Sequence, residues 1–416
     1  MKATLFSLGM GILLQMSGFT AFAHQPMLEN FQQKHILADL KDLKKLNIPI
    51  LAKDEISQVG YAVINPKMQQ DLMINAHQVG KCGGFEVLPE PTGVSVQGQI
   101  DDLKNLSKLV QKDRQYQNGP WKAFGNAANP TVSTAIQQVQ EANILGTVQW
   151  LSAFPDRYNR GTSPNSHIAG FKQKIESLLA LTSTPYEIEL VSHKNTPQQS
   201  IRVRFIGKTS PNEIVVMGGH LDSINQEWGG NKKAPGADDN ASGSATVLEA
   251  MRIISMQGQP QRTIEFYWYA GEESGLLGSA EIARQYKSLN KDVIAVLQLD
   301  MTMYPGSGEL VIGNIADFTS SWLREYLVGI NQSYQLGVTF VHDECGYGCS
   351  DHASWYRQGY PTVMPFEATT QTMNHEIHTS NDVIGPRSSM RHAAVFARIA
   401  VIFGLELANS QTRQPY

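Results

Sequence analysis

The chain has 416 residues, 41% hydrophobic and 17% charged, enough for a sizeable core in one large domain and a smaller one. A formal net charge of −4, with no basic run, argues against a nucleic-acid partner. No run of about 18 apolar residues inside the body of the chain predicts a membrane span.

Lys2, the apolar run from Leu5 to Phe19 and the small-x-small sequence Ala21, Phe22, Ala23 have the form of a signal peptide cut after Ala23. Export places the protein in an oxidising compartment, where cysteines pair. Residues 24–120 gather no metal ligands: 39–46 has helical spacing and 61–65 reads as a strand. The polar stretch 113–120, ending in Gly119 and Pro120, breaks regular structure and marks a joint. The expected organisation is a signal peptide over 1–23, a prodomain over 24–120 and a functional domain over 121–416. Of the three cysteines, Cys82 lies in the prodomain. Cys345 and Cys349 are expected to pair across a loop that Gly346 and Gly348 allow to turn. The competing reading is a cysteine zinc site, which lacks a second cysteine pair.

Beyond 130 the pattern predicts helices over 132–153 and 167–181, strands over 186–191, 201–206 and 214–217, and a helix over 242–256. A strand over 263–270, a helix over 276–289, strands over 293–299 and 310–313, and a helix over 318–332 follow. A strand over 361–366 and a helix over 390–408 close the chain. Strands alternating with helices imply an α/β fold whose sheet contains parallel strands and is covered on both faces.

Histidines and carboxylates fall where such a sheet binds ligands, beyond the carboxyl ends of its strands. His220 follows strand 214–217, Glu272 and Glu273 follow 263–270, Asp300 follows 293–299, and His378 follows 361–366 after a loop. Asp239 stands in the glycine-flanked loop PGADDNASG. Imidazole with carboxylate and without thiolate is the donor chemistry of hydrolytic metal sites. Five donors exceed what one catalytic zinc needs, but suit two metals if Asp239 bridges and each metal adds one histidine and one carboxylate. Of the adjacent Glu272 and Glu273, one can ligate while the other stays free as a general base. Asp222, two residues from His220, is placed to orient that imidazole. Ser350, Asp351 and His352 are adjacent and cannot form a triad among themselves, and there is no G-x-S-x-G elbow.

The motifs GGHLDS, APGADDNASG, YAGEESGLLGS, LQLDM, CGYGCSDHASW, MPFE and IHTSND, spread in this order over about 130–410, resemble those of the secreted bacterial leucyl aminopeptidases, co-catalytic di-zinc exopeptidases. The resemblance implies a three-layer αβα sandwich around a mixed, mostly parallel sheet of about eight strands, preceded by a propeptide. It implies two zinc ions, one held by His220 and Asp300 and the other by Glu273 and His378. Asp239 would bridge them and carry a cis peptide to Asn240. Glu272 becomes the general base, Asp222 the acid behind His220, and Tyr347 a donor to the developing oxyanion. Met301, Cys345, Cys349, Met364, Phe366 and Ile377 would line an apolar pocket for the first side chain. Thr370 and Met373 stand where this family commonly has aromatics, which implies a wider or more adaptable pocket. Glu344 and Glu367 lie close to the pocket in sequence and keep a basic first residue in view. The implied protein is a secreted monomer acting on peptides with free N-termini, preferring leucine-like residues. The rivals are a carboxypeptidase or deacylase of related fold, an amide-cyclising relative, and a binding module that lost the chemistry.

Overall fold

The computed structural model describes residues 33–78, 84–88, 96–117, 127–226 and 233–410. The expected signal peptide, residues 24–32 of the expected prodomain, Cys82, and residues 118–120 of the joint lie outside the described residues.

The N-terminal region runs β1 (Lys34–Asp39), α1 (Leu40–Lys45), β2 (Ile50–Asp54), β3 (Val59–Ile64), α2 (Pro66–Gln78), β4 (Phe85–Val87) and α3 (Val96–Gln117). Its four strands form a sheet of their own in the order β2-β3-β1-β4. Ile36, Leu43, Ile48, Ala62, Leu72 and Phe85 pack beneath it together with Leu277, and Leu37, Tyr61 and Leu106 pack with Leu276, Phe318 and Tyr356. Residues 113–117 do not break structure as their polarity suggests; they finish α3. Asp113 is held there, accepting from the hydroxyl of Tyr356 at 2.6 Å and from the amide of Ser321.

The rest of the chain begins with α4 (Pro130–Ile136), α5 (Glu141–Ser152), α6 (Ile168–Leu179), β5 (Tyr186–Val191), β6 (Ser200–Phe205), β7 (Ser210–His220) and α7 (Gly243–Ser255). It continues through β8 (Arg262–Tyr269), α8 (Leu277–Ser288), β9 (Asp292–Gln298), β10 (Val311–Ile315) and α9 (Ser321–Tyr334). It ends with β11 (Thr339–Asp343), α10 (His352–Arg357), β12 (Thr362–Val363), β13 (Pro365–Phe366) and α11 (Met390–Asn409). The larger sheet has the order β12-β9-β7-β8-β6-β5. β12, β9, β7 and β8 run parallel; at one edge β6 pairs antiparallel with β8, and β5 pairs antiparallel with β6.

Alternation along the central strands shows that both faces are covered. Val215 and Met217 enter a core shared with α7 and α11, while Ile214 and Val216 enter a second core with Ile282 and Tyr286 of α8 and Trp355 of α10. Helices therefore lie on each side of this sheet. A single sheet of about eight strands is not what hydrogen bonding gives. Six strands form one sheet, and β11-β10-β13 form another. The run 362–366 changes partners at Met364: β12 pairs parallel with β9, and β13 pairs antiparallel with β10. β11 and α10 are elements the sequence pattern did not predict.

α11 is long and apolar enough to cross a membrane by length and composition, but it is a core helix. Ala393, Phe396, Ile399 and Phe403 are fully buried.

The N-terminal region packs close to the carboxyl end of β8. The amide of Val87 donates to the carbonyl of Gly275 at 3.0 Å. Buried Glu86 sits between Arg284, 3.7 Å away, and Arg357, whose guanidinium lies 4.8 Å above the Phe318 ring.

Candidate active site

Three neighbouring parallel strands bring their carboxyl ends to one edge of the sheet. β7 is longer than its apolar run suggests and includes His220, which lies opposite Tyr269 of β8. β9 leads into Asp300 two residues after its end, and β8 leads into Glu272 and Glu273. Gly219 lets the crossing segments approach: a Cβ there would lie 2.7 Å from the carbonyl oxygen of Leu299.

Asp239 arrives on a loop that reaches over this edge. Gly236 turns the loop with φ +51°, and a Cβ there would lie 2.4 Å from the carbonyl oxygen of Asp239. The Asp239–Asn240 peptide is cis. The Asn240 side chain donates to the carbonyl of Leu299 at 3.1 Å and accepts from the amide of Met301 at 3.2 Å, tying the loop to the segment after β9.

The structure gathers the five donors into two sets that share one residue. His220 Nε2 lies 3.0 Å from Asp239 Oδ1 and 3.2 Å from Asp300 Oδ1. His378 Nε2 lies 3.1 Å from Asp239 Oδ2 and 3.0 Å from Glu273 Oε2. Asp239 thus turns one oxygen toward each histidine. Glu272 belongs to neither set. Asp222 lies behind both: its Oδ1 is 3.5 Å from His220 Nδ1, and its two oxygens accept from the amides of Glu272 and Glu273 at 3.0 and 3.2 Å. The nearer partner of His220 Nδ1 is the carbonyl oxygen of Asp222, at 3.2 Å, and the carboxylate of the same residue holds the turn that carries both glutamates.

Three supports were not foreseen from sequence in these roles. Ser350, weighed there only as a nucleophile, donates its hydroxyl to Asp300 Oδ2 at 2.6 Å, leaving Oδ1 for His220. Gln298 holds Ser350 and Asp351 through its amide nitrogen. Arg157 is fully buried and donates to the carbonyls of Leu221, Pro235 and Gly236, joining the end of β7 to the Asp239 loop. Ser350 follows Cys349 and is legible only as part of a motif. Neither Gln298 nor Arg157 carries a local sequence signal.

Beside the two sets lies an apolar cluster of Met301, Ile315, Tyr347, Cys349, Met364, Phe366, Met373 and Ile377, with Cys345 packed against it. The Cys345–Cys349 disulfide closes the loop that presents Tyr347. Ile315, on β10, was not among the expected lining residues. Met301 and His378 hold left-handed backbone, φ 57° and 59°, which favours glycine and marks both as positions held by their surroundings. Of the two acids near this cluster in sequence, Glu367 is buried and accepts from the amides of Tyr304 and Asn374. Glu344 is exposed and lies 3.5 Å from His342.

Residues 201–400 match peptidase family M28. A probable leucine aminopeptidase of Arthroderma otae is 36% identical over 321 residues, spanning 74% of this chain and 84% of that protein. The chain belongs to peptidase family M28. The crystal structure of the LapA aminopeptidase of Legionella pneumophila superposes with a TM-score of 0.76 at 26% identity, over 92% of this chain and all of that one. LapB of the same organism superposes at 0.73 with 22% identity, over 91% of this chain, and shares the fold.

The electrostatics of this M28 peptidase are those of a site made for cations. Burial alone would lower both imidazoles, but the neighbouring carboxylates outweigh it. The charge of Asp300 and bonds to Asp222, Asp239 and Asp300 hold His220 well above its ordinary value. Glu273 and Asp239 do the same for His378. Burial pushes Glu272 well above the carboxylate range against the pull of His220, and Glu273, Asp300 and Asp351 add to the rise. Burial, opposed by His378 and reinforced by Asp239, pushes Glu273 up to about 7. Buried Glu273 Oε1 and Glu272 Oε2 have no hydrogen-bond donor. So many buried acids with too few donors point to positive charge between them.

The donor set fits zinc. Donor atoms at the zinc–nitrogen and zinc–oxygen distance of about 2.0–2.1 Å stand roughly 3.3 Å apart in a tetrahedron, near the 3.0–3.2 Å that separate each histidine from its two carboxylates. Each set supplies three protein donors and leaves a fourth position, as catalytic zinc requires.

Proposed function

We propose that this chain is a secreted aminopeptidase that uses two zinc ions, bridged by Asp239, to remove leucine-like residues from the free N-termini of peptides. The observation that carries the reading is the sharing of Asp239 between the His220–Asp300 and His378–Glu273 sets. The relatives named as leucine aminopeptidases support the reaction class.

Two zinc ions held there supply Lewis acidity toward water and the scissile carbonyl. The chain's own residues do the rest. Glu272, bound to neither histidine, takes a proton from the attacking water as its oxygen bonds to the carbonyl carbon. It returns that proton to the departing amine nitrogen as the C–N bond breaks. Asp222 holds the turn of Glu272 and Glu273 through two amides, keeping the base in place. Tyr347, presented by the disulfide loop, donates to the oxyanion.

The first side chain enters the cluster of Met301, Met364, Met373, Phe366, Ile377 and Ile315. The three methionines make this pocket apolar and adaptable. Glu367 spends its oxygens on backbone amides and Glu344 points to solvent, which favours an apolar over a basic first residue. Residues 1–23 act as a signal peptide and 24–120 as a prodomain; the functional chain is a monomer. N-terminal sequencing and the solution mass of the secreted protein test this; a mature chain that retains residues 24–110 refutes the prodomain.

The deciding assay is a panel of aminoacyl amides with metal content measured on the same sample. Leucyl and methionyl amides should be fastest, acetylation should stop the reaction, and two zinc ions per chain should be found. Faster release of lysine or arginine overturns the pocket assignment. Cleavage of acetylated peptides from their C-terminal end supports a carboxypeptidase instead.

A further inference from the structure

The two donor sets differ in what holds them. His220 ends, and Asp300 follows, one of two paired central strands, and Ser350 fixes Asp300. His378 lies on a loop and Asp239 in the irregular helical turn Ala237–Ser242, whose backbone is non-helical at Asp239, and no strand pairing sets the distance between them.

What joins the two is Asp382, four residues after His378. Asp382 is buried, and three consecutive amides of the bridging loop converge on it. The amide of Ala237 donates to its carbonyl oxygen at 3.1 Å, that of Asp238 to Oδ1 at 3.0 Å, and that of Asp239 to Oδ2 at 3.0 Å. Just upstream, the carbonyls of Pro235 and Gly236 accept from Arg157. The loop is thus gripped through its N–H groups by a buried carboxyl group and through its C=O groups by a buried guanidinium. Arg157 and Asp382 attract one another across it. The bonds from the Arg157 guanidinium are charge-assisted, a kind about twice as strong as neutral ones. On the other side of the histidine, the amide of Gln226 donates to the carbonyl of His378 at 2.9 Å.

We infer that Asp382 is a positioning residue that clasps the His378 loop to the Asp239 loop and sets the His378–Asp239 half of the metal centre, while leaving the His220–Asp300 half nearly unaffected. Asp382 has no ligand role of its own: Oδ2 takes the amide of Asp239, and Oδ1 takes the amide of Asp238 and, at 3.5 Å, the side-chain amide of Asn374. A conserved shape but a lost acceptor is what Asp382→Asn provides. Its amide group has one oxygen for the two amides and sets N–H against N–H at the other. The bridging carboxylate then drifts relative to His378, whereas the strand ends keep His220 and Asp300 together.

This inference rests on the two-metal reading, and one experiment separates the two. Metal-free wild-type and Asp382→Asn proteins are titrated with zinc against a chromophoric chelator. The wild type should take up two ions; one ion or none refutes the two-metal reading. The variant should bind its first ion within about threefold of wild type and its second at least tenfold more weakly, with activity recovered as free zinc is raised. Equal weakening of both ions, or of neither, overturns the clasp and leaves the two-metal reading standing. Amide hydrogen exchange supplies the readout that a general loss of stability would not give. In the variant, residues 237–239 should lose protection while β7 keeps it. If Asp382→Asn does not fold, the metal-free wild type decides. Protection of 237–239 comparable to β7 supports a preformed clasp, and exchange as fast as an open loop overturns it.

Discussion

Replacing Glu272 with glutamine isolates the proton-transfer step. The side chain keeps its length, and the backbone amide that donates to Asp222 at 3.0 Å is untouched. Glu272 lies in neither donor set, so the metal should stay. What disappears is a basic oxygen. A positioned general base contributes about 10²–10⁴ in rate, or roughly 3–5.5 kcal/mol of barrier. Stability should move the other way or not at all. Burial and the charges of Glu273, Asp300 and Asp351 already push the Glu272 carboxyl up, so the metal-free fold must protonate it above the ordinary carboxylate range, a cost that the neutral amide does not carry. The metal-free Glu272→Gln protein should therefore melt no lower than metal-free wild type. The assay is steady-state hydrolysis of leucyl amide, with zinc content and thermal melting measured on the same preparation. A kcat within tenfold of wild type with both ions bound would refute the role of base. Loss of one zinc ion together with activity would make Glu272 a ligand instead.

Exhaustive chelation should abolish turnover and lower the melting temperature, and zinc should restore both; activity that survives chelation excludes the metal mechanism. Asp317 accepts the amides of Cys345 and Gly346 on one oxygen, and burial pushes its carboxyl up to about 6. A raised folded value means the folded state holds more protons, so this group's contribution to stability falls as pH rises from about 4 to 6. Asp317→Asn keeps one oxygen for both amides and removes the charge. It should flatten that fall and gain about 1–2 kcal/mol above pH 6, after discounting for partial exposure; an unchanged pH profile of unfolding refutes this. Glu86→Gln strips the carboxylate from between Arg284 and Arg357, and burial already holds Arg357 down at about 9. The full chain should lose about 3–5 kcal/mol in denaturant unfolding. A loss below about 1 kcal/mol would show that water screens the two arginines.

The parts of the site that were legible in sequence are those tied to strand ends. An apolar run followed by a histidine or a carboxylate predicts where the side chain lies, because parallel neighbours align their carboxyl ends. His220, Asp300 and the Glu272–Glu273 turn follow that rule, and β7, β8 and β9 are adjacent in the sheet. The separate three-stranded sheet was not legible. Its last strand, β13, is two residues long and lies one residue from β12, so a single apolar run hides a change of partner. β11 escaped detection because its burial does not alternate cleanly, and α10 because it spans only six residues. In the N-terminal region, β4 is three residues long, too short for any period to show.

The loop-borne donors are a different case. Nothing local in IHTSND says that His378 faces Asp239, and nothing in APGADDNASG says which aspartate turns inward. Asp238 and Asp239 are adjacent and both buried, yet they face different partners: Asp238 accepts from Met303 and Asn374, while Asp239 lies between the two histidines. The choice is made by groups far away in sequence, Arg157 on the carbonyls and Asp382 on the amides. Motif resemblance could name Asp239 as the bridge without explaining it. The explanation lies in the pairing of a buried guanidinium with a buried carboxylate across one short loop, which strand and helix periods cannot encode. A centre assembled this way has one half fixed by the sheet and one half fixed by side chains. Its second half is therefore the more sensitive to a single substitution.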